Sequence, residues 1–257
     1  MSAAKVTAEL ARDGSRLDII VGGRGNVIDS DVVAGIDRAL DQHAGHPQLR
    51  LIRFAGAGDR FSTGASVDEH RPSHVHSMLT RFHGLFRRLA RIAVPTLAAV
   101  RGHCLGGGLE LAAWCTWVFA APDARFGQPE IKLGVFPPLA SVLLPWRIGG
   151  GGALDLCVSG RSIDADAARR IGLVHTIAAD PLAASDTFFA EQLAPLSPSS
   201  LRFAERAARL GLMRRIDADL PAVERMYLDE LMRTVDAVEG IDAFLDKRAP
   251  VWHGSQS

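Results

Sequence analysis

Charge of one sign is missing from this 257-residue chain, in which 29 Lys and Arg stand against 29 Asp and Glu. No broad field draws in nucleic acid or an anionic membrane, so any anionic partner has to be met by a local site. Cysteine is scarce. Cys104, Cys115 and Cys157 are an odd number in apolar surroundings, which argues against a disulfide framework and for a reducing, cytoplasmic setting. The opening "MSAAKVTAEL" lacks the basic-then-apolar form of a signal peptide. The longest apolar stretch, 94–121, is broken by Arg101, His103, Glu110 and a glycine triplet, and reads as a buried core segment rather than a membrane span. No repeat of fixed period or low-complexity tract stands out.

What is present is apolar bulk. At 47% hydrophobic residues the chain can form one large domain, or one domain with a small appendage, around a substantial core. After a polar lead, "RLDIIV" (16–21) is β-rich and stops at Gly22 and Gly23, and "DSDVVAGIDRALDQH" then sets Val32, Val33, Ile36 and Leu40 at helical spacing. "LRLIRFAG" (49–56) reads as the next strand, followed by a long polar loop, "AGDRFSTGASVDEHRP". Loops of that length on a strand-helix scaffold often carry function. A helix over 73–91, a strand in "PTLAAVRG", a glycine turn, a helix in "GGLELAAWC" and a strand in "WVFAA" continue the alternation, which predicts an α/β core. Past residue 181 the β-like runs fade, and two stretches, "SSLRFAERAARLGL" and "AVERMYLDELMRTVDAVEGIDAFLDK", are helical in period.

The glycine turn is the chemical focus. Gly106, Gly107 and Gly108 lie between an apolar strand and a helix, where they permit close approach and expose backbone N–H groups at a helix start. On the triplet alone, tight packing and oxyanion binding are equally open readings. Glu110 follows among Leu105, Leu109, Leu111, Ala112 and Ala113, so its carboxylate is expected to be partly buried and in need of a partner or a task. Glu130, between Pro129 and Ile131, keeps similar company. Two carboxylates in apolar clefts suit general acid and base roles if they face one reacting centre, which spacing alone does not establish.

Three segments in series, "FSTGASVDEH" (61–70), "GHCLGGGLELA" (102–112) and "FGQPEIKLGVFP" (126–137), resemble the crotonase (enoyl-CoA hydratase/isomerase) superfamily along the whole chain. The resemblance implies a spiral of ββα units over residues 1–195, of the crotonase/ClpP-like class, and a helical region over 196–257 that supports a homotrimer or homohexamer. It implies an acyl-CoA thioester substrate, hydrated without metal or redox cofactor because CoA arrives as part of the substrate. By motif position the backbone N–H groups of Ala65 and Gly107 form the oxyanion hole, Glu110 activates water and Glu130 delivers a proton. Gly64, Ala65, Ser66, Val67, Asp68, Gly106 and Gly107 line the thioester and pantetheine path. The turn around Asn26 matches one near the adenine end.

Two departures bear on the substrate. Ser66 replaces the aspartate usual after Gly-Ala, and "PPLASV" (137–142) replaces a glycine-rich wall beyond the second glutamate. Together with "SGRSID" (159–164), the segments are most similar to the hydratases of cyclic dienoyl-CoA thioesters, and the altered wall is expected to reposition Glu130 or a bound water. A 2-enoyl-CoA hydratase of β-oxidation type is the rival enzyme, and an RNA-binding or scaffold role is the rival class, opposed by the neutral charge and the retained glutamate pair.

Other features read as structural. His70, His74 and His76 beside Asp68 and Glu69 suggest a metal cluster on paper, but Pro72 interrupts them and no second ligand set is evident. Cys104 reads as a buried thiol, Trp114 and Trp117 as core anchors, and "GGRG" and "GGGG" as turns or helix caps. Arg24 and Arg53 read as surface arginines, with CoA phosphates as the alternative.

Overall fold

The computed structural model describes residues 5–11 and 13–254. The first four residues of "MSAAKVTAEL" therefore lie outside the described residues. The chain runs β1 (Val6–Leu10), β2 (Arg16–Val21), α1 (Ser30–His43), β3 (Leu51–Gly56), α2 (Val75–Ile92), β4 (Thr96–Val100), β5 (His103–Leu105), α3 (Gly107–Trp114), β6 (Trp117–Ala120) and β7 (Arg125–Gly127). There follow α4 (Pro138–Ser159), β8 (Ser162–Asp164), α5 (Ala165–Arg170), β9 (Thr176–Ile177), α6 (Pro181–Phe188), α7 (Pro198–Arg225) and α8 (Val235–Leu245).

Among the described residues the strands form a six-stranded sheet, ordered β1-β2-β3-β4-β6-β9, and a three-stranded sheet, β5-β7-β8. All pairs in the larger sheet are parallel except β1 with β2. Successive strands divide between the sheets: β4 enters the larger and β5 the smaller, then β6 the larger and β7 the smaller. Two turns of the chain, β4-β5-α3 and β6-β7-α4, thus lay one strand in each sheet before a helix, the strand-strand-helix unit that the family resemblance implies, whereas β1, β2 and β3 all enter the larger sheet. Every residue of β4 and the first five of β3 are buried, because helices cover both faces of a parallel sheet.

Local signals explain the elements. Asp29 caps α1 by accepting from the Val32 N–H at 2.9 Å, and Val32, Val33, Ile36 and Leu40 turn inward together. Ala93, at φ 55°, ends α2, and Pro95 follows shortly after. The "GGGG" run lies within α4, where Gly149 (φ 77°, ψ 158°) breaks helical geometry instead of ending the helix. The polar lead contains a strand, β1, that its composition conceals: three of its five residues are exposed, as befits an edge paired on one side.

The helical tail differs in detail from the two predicted helices. One helix, α7, runs from Pro198 through Pro221 to Arg225 and passes into a π-helical turn, Met226–Glu230, before a 3-10 turn and α8. A proline inside a helix removes one amide donor, so the carbonyl one turn upstream lacks its usual partner. Leu212, Ile216, Leu220, Tyr227, Ala237 and Ile241 from this tail join the same hydrophobic core as Leu17, Phe54 and Trp114.

Candidate active site

Each glycine of the triplet does separate work. Gly106 adopts φ 52°, ψ −127°, donates its N–H to Gly127 O at 2.9 Å and accepts from the Glu110 N–H at 2.9 Å. A Cβ there would stand 2.6 Å from Oε1 of Glu130. At Gly107 a Cβ would meet the Ala65 nitrogen at 3.3 Å, so this backbone and that of Ala65 abut. At Gly108 it would come within 2.6 Å of the Ser62 Cβ, a close approach made by tight packing. The packing role and the site role are thus both present, at different glycines.

Gly64, at φ 113°, turns the preceding loop so that Ala65 faces the start of α3. No hydrogen-bond acceptor is found among the described residues for the N–H of Ala65 or of Gly107. Two adjacent unpaired donors beside a helix N-terminus suit a developing negative oxygen. The next residues leave this centre: Ser66 O meets His70 Nδ1 at 2.7 Å, Val67 packs on the core, and the exposed Asp68 pairs with Arg71 at 3.2 Å.

The first turn of α3 carries Glu110, 5% exposed. Its Oε1 accepts the Ala140 N–H at 2.6 Å. Ala140 lies in the first turn of α4, where amide donors have no partner within the helix, so the "PPLASV" wall holds Glu110 by backbone. The wall's hydrogen bond goes to Glu110 because the wall is a helix start with free amide donors. Burial pushes the Glu110 carboxyl up to about 7, against the opposing pull of the Ala140 bond.

Glu130 sits half-buried in the 3-10 turn Pro129–Leu133. With the Gln128 amide oriented to donate, its nitrogen reaches Oε1 at 3.1 Å and Oε2 at 3.0 Å. Burial, and then the charge of Glu110, pushes the Glu130 carboxyl up to about 8. The structure therefore brings together Glu110, Glu130, Gly106, Gly107, Gly64 and Ala65. Two carboxyls raised by burial, and Glu130 also by the charge of Glu110, can hold one proton between them at neutral pH, leaving one as base and one as acid.

Arg53 is not a surface residue: it is 7% exposed and bonds Asp18 at 2.8 Å, Ser185 at 2.7 Å and Asp186 at 2.6 Å, which leaves no fork for a CoA phosphate. Arg24 is exposed. Asn26 is a buried turn lock whose side chain donates to Ala57 O and Arg60 O. Cys104 is buried and points its thiol at Gly108 O, and Trp114 is a core residue stacked edge-on to Phe86. Among the described residues no group of three or more His, Cys, Asp or Glu is placed to hold a metal ion, and no helix is long and apolar enough to cross a membrane. A cavity of about 480 Å³ between β1, β2, β3 and α6 includes none of the candidate site residues.

Residues 23–255 match the family model described as enoyl-CoA hydratase/isomerase. The chain belongs to that family. It is 51% identical to the cyclohexa-1,5-dienecarbonyl-CoA hydratase of Thauera aromatica over 244 residues, 95% of each chain. It is 31% identical to the short-chain-enoyl-CoA hydratase of Clostridium acetobutylicum, covering 87% of each. The carnitinyl-CoA hydratase of Mycobacterium avium superposes with a TM-score of 0.83 at 28% identity, over 98% of this chain and 99% of that one. The α/β spiral above is the fold of this family.

The family motifs did not point to four residues now near the pair. Ala140 acts through its N–H, which no side-chain pattern reveals, and Gln128 is a fully buried amide between β7 and the Glu130 turn. Burial, and then the charges of Glu110 and Glu130, push the thiol of Cys157 on α4 up to about 12. Tyr227 arrives from the distant helical tail; the one signal was that it is the single tyrosine in the chain.

Proposed function

We propose that this chain is a hydro-lyase that adds water to cyclohexa-1,5-diene-1-carbonyl-CoA, giving 6-hydroxycyclohex-1-ene-1-carbonyl-CoA. The observation that carries this reading is the 51% identity, over 95% of both chains, to a relative named for hydrating that thioester.

The site chemistry supports it. The N–H groups of Ala65 and Gly107 bind the thioester oxygen, with Gly64, Gly106, Ser66, Val67 and Asp68 shaping the path that leads to it. Glu110 takes a proton as the water oxygen bonds to the ring carbon β to the carbonyl. The electron pair of that double bond moves onto the conjugated thioester, where the two donors stabilise the developing oxyanion. Such preorganised donors are each worth about 2.7–4 kcal/mol in comparable sites. Glu130 then delivers its proton to the far carbon of the diene, and the remaining double bond stays conjugated with the carbonyl. One water has been added, and the proton returns from Glu110 to Glu130 to reset the pair. The thioester is the electron sink, so the reaction calls for no metal or redox cofactor.

The partner is thus an acyl-CoA thioester, with no role for nucleic acid or membrane. Exposed Leu154 and Val158 on α4 and Phe203 and Leu210 on α7 suit burial in a homotrimer or homohexamer, which light scattering of the purified protein would size. Three free cysteines fit a cytoplasmic setting. The deciding experiment compares kcat/KM for cyclohexa-1,5-diene-1-carbonyl-CoA and crotonyl-CoA. The cyclic thioester is expected to be preferred; preference for crotonyl-CoA by orders of magnitude would replace this reading with a short-chain 2-enoyl-CoA hydratase.

A further inference from the structure

Tyr227, the chain's only tyrosine, is 0% exposed and sits in the π-helical turn Met226–Glu230 that follows α7. Its ring stands edge-on to Phe136, centroids 5.2 Å apart and planes at 76°. Phe136 lies between the Glu130 turn and the first turn of α4, whose Ala140 N–H holds Glu110. Both supports of the acid pair therefore flank the residue on which this ring rests.

The phenolic oxygen is buried, and among the described residues it has no hydrogen-bond partner. A buried hydroxyl without a partner is destabilising, and phenylalanine would fill nearly the same volume without that cost. The oxygen is therefore unexplained by packing. Its electrostatic neighbours are the site itself: after burial, the charge of Glu130 and then that of Glu110 hold the phenol well above its ordinary range. It stays protonated, a single O–H donor that feels the charge of two carboxylates and is bonded to neither.

We propose that Tyr227 is a positioning residue of the hydration site, its O–H donating a hydrogen bond to the oxygen of the water that adds to the acyl group. This rests on the hydratase reading above and extends it. A water that gives its two hydrogens to Glu110 and Glu130 has two lone pairs left. One attacks carbon, and Tyr227 fixes the other, which sets the direction of attack. In the reverse reaction the same O–H meets the departing hydroxyl. A π-helical turn is a common device for placing one side chain into a site that regular helix would miss.

The test is Tyr227→Phe in the full chain, assayed beside the parent with cyclohexa-1,5-diene-1-carbonyl-CoA and crotonyl-CoA, with urea denaturation in parallel. On whichever thioester the parent hydrates, kcat is expected to fall about tenfold or more, with KM held within about twofold, since the contact is to water and not to CoA. The urea midpoint is expected to stay level or rise, because the variant removes an unpaired buried hydroxyl. An unchanged kcat, or a fall that comes with a lowered midpoint, overturns the proposal by showing the hydroxyl to be idle or merely structural. A parent inactive on both thioesters overturns the hydratase reading and this inference with it; an active parent with an equally active variant overturns this inference alone.

Discussion

Gly106 and Glu130 share one space: a methyl group on the glycine would stand 2.6 Å from Oε1 of the carboxylate. Gly106 also holds φ 52°, a conformation that L side chains rarely adopt. The glycine next to the oxyanion donors thus leaves the room that the second carboxylate occupies. Gly106→Ala is expected to displace Glu130 and to cost about 1–2 kcal/mol of backbone strain. Hydratase kcat should drop by about 10²-fold while the folded chain persists, because misplacing an acid by a fraction of an ångström costs rate before stability. Steady-state kinetics with circular dichroism would check both halves.

Glu110 and Glu130 are held differently, and their amide variants should differ accordingly. Glu110 accepts the Ala140 N–H at 2.6 Å, and a glutamine oxygen can keep that bond. Glu110→Gln is therefore expected to fold normally and lose about 10²–10⁴-fold in kcat, the range for removing a general base. Glu130→Gln should lose a similar factor, but Gln128 would then face an amide in place of a carboxylate. If either variant turned over within about threefold of the parent, that residue would leave the proposed mechanism.

The same pair sets a pH dependence of stability. Burial and the charge of Glu110 raise the Glu130 carboxyl from an ordinary 4.5 to about 8, and burial raises Glu110 to about 7. From about pH 4.5 upward the unfolded chain has released protons that the folded chain still binds, so stability falls as pH rises, until about pH 8. Glu130→Gln removes the group with the larger rise. Its urea midpoint should exceed the parent's at pH 8 by the equivalent of about 1–3 kcal/mol, and match it near pH 4.5. A midpoint difference that is flat across this range would mean that Glu130 ionises in the folded chain as freely as in water.

Periodicity made the alternation of strands and helices legible, and the family resemblance supplied the spiral. Val32, Val33, Ile36 and Leu40 mark α1 by spacing, and α3 follows its glycines as expected. The exposed edge strand Val6–Leu10 was hidden because pairing on one side requires no apolar pattern. Glu110 and Glu130 were legible as charges in apolar company, but their convergence was not, since it depends on how β5 and β7 lie side by side in the smaller sheet. The support around them was the least legible. Ala140 contributes only a backbone N–H, and Tyr227 comes from a helical tail with no pattern linking it to residue 130.

That tail also grips the Glu130 turn directly, through Gly240 on α8. A Cβ at Gly240 would lie 2.2 Å from Leu133 O and 2.4 Å from its carbonyl carbon, so the helix rests backbone to backbone on the segment Pro129–Leu133. Gly134 meets α8 in the same way, its Cβ position 2.5 Å from Asp236 O. Neither obstacle is a flexible side chain, so an added methyl must move the whole turn. Gly240→Ala is expected to destabilise the chain by about 1–3 kcal/mol through overpacking, and to shift Glu130 away from Gly106. Activity should therefore fall further than the lost folded fraction explains, although Gly240 belongs to no catalytic motif. Comparing kcat per folded molecule for Gly240→Ala with an exposed control on the same helix, Val238→Ala, would separate the two effects. Equal kcat per folded molecule in both would reduce α8 to a packing element; a selective loss at Gly240 would make the C-terminal helix part of what aims the second carboxylate.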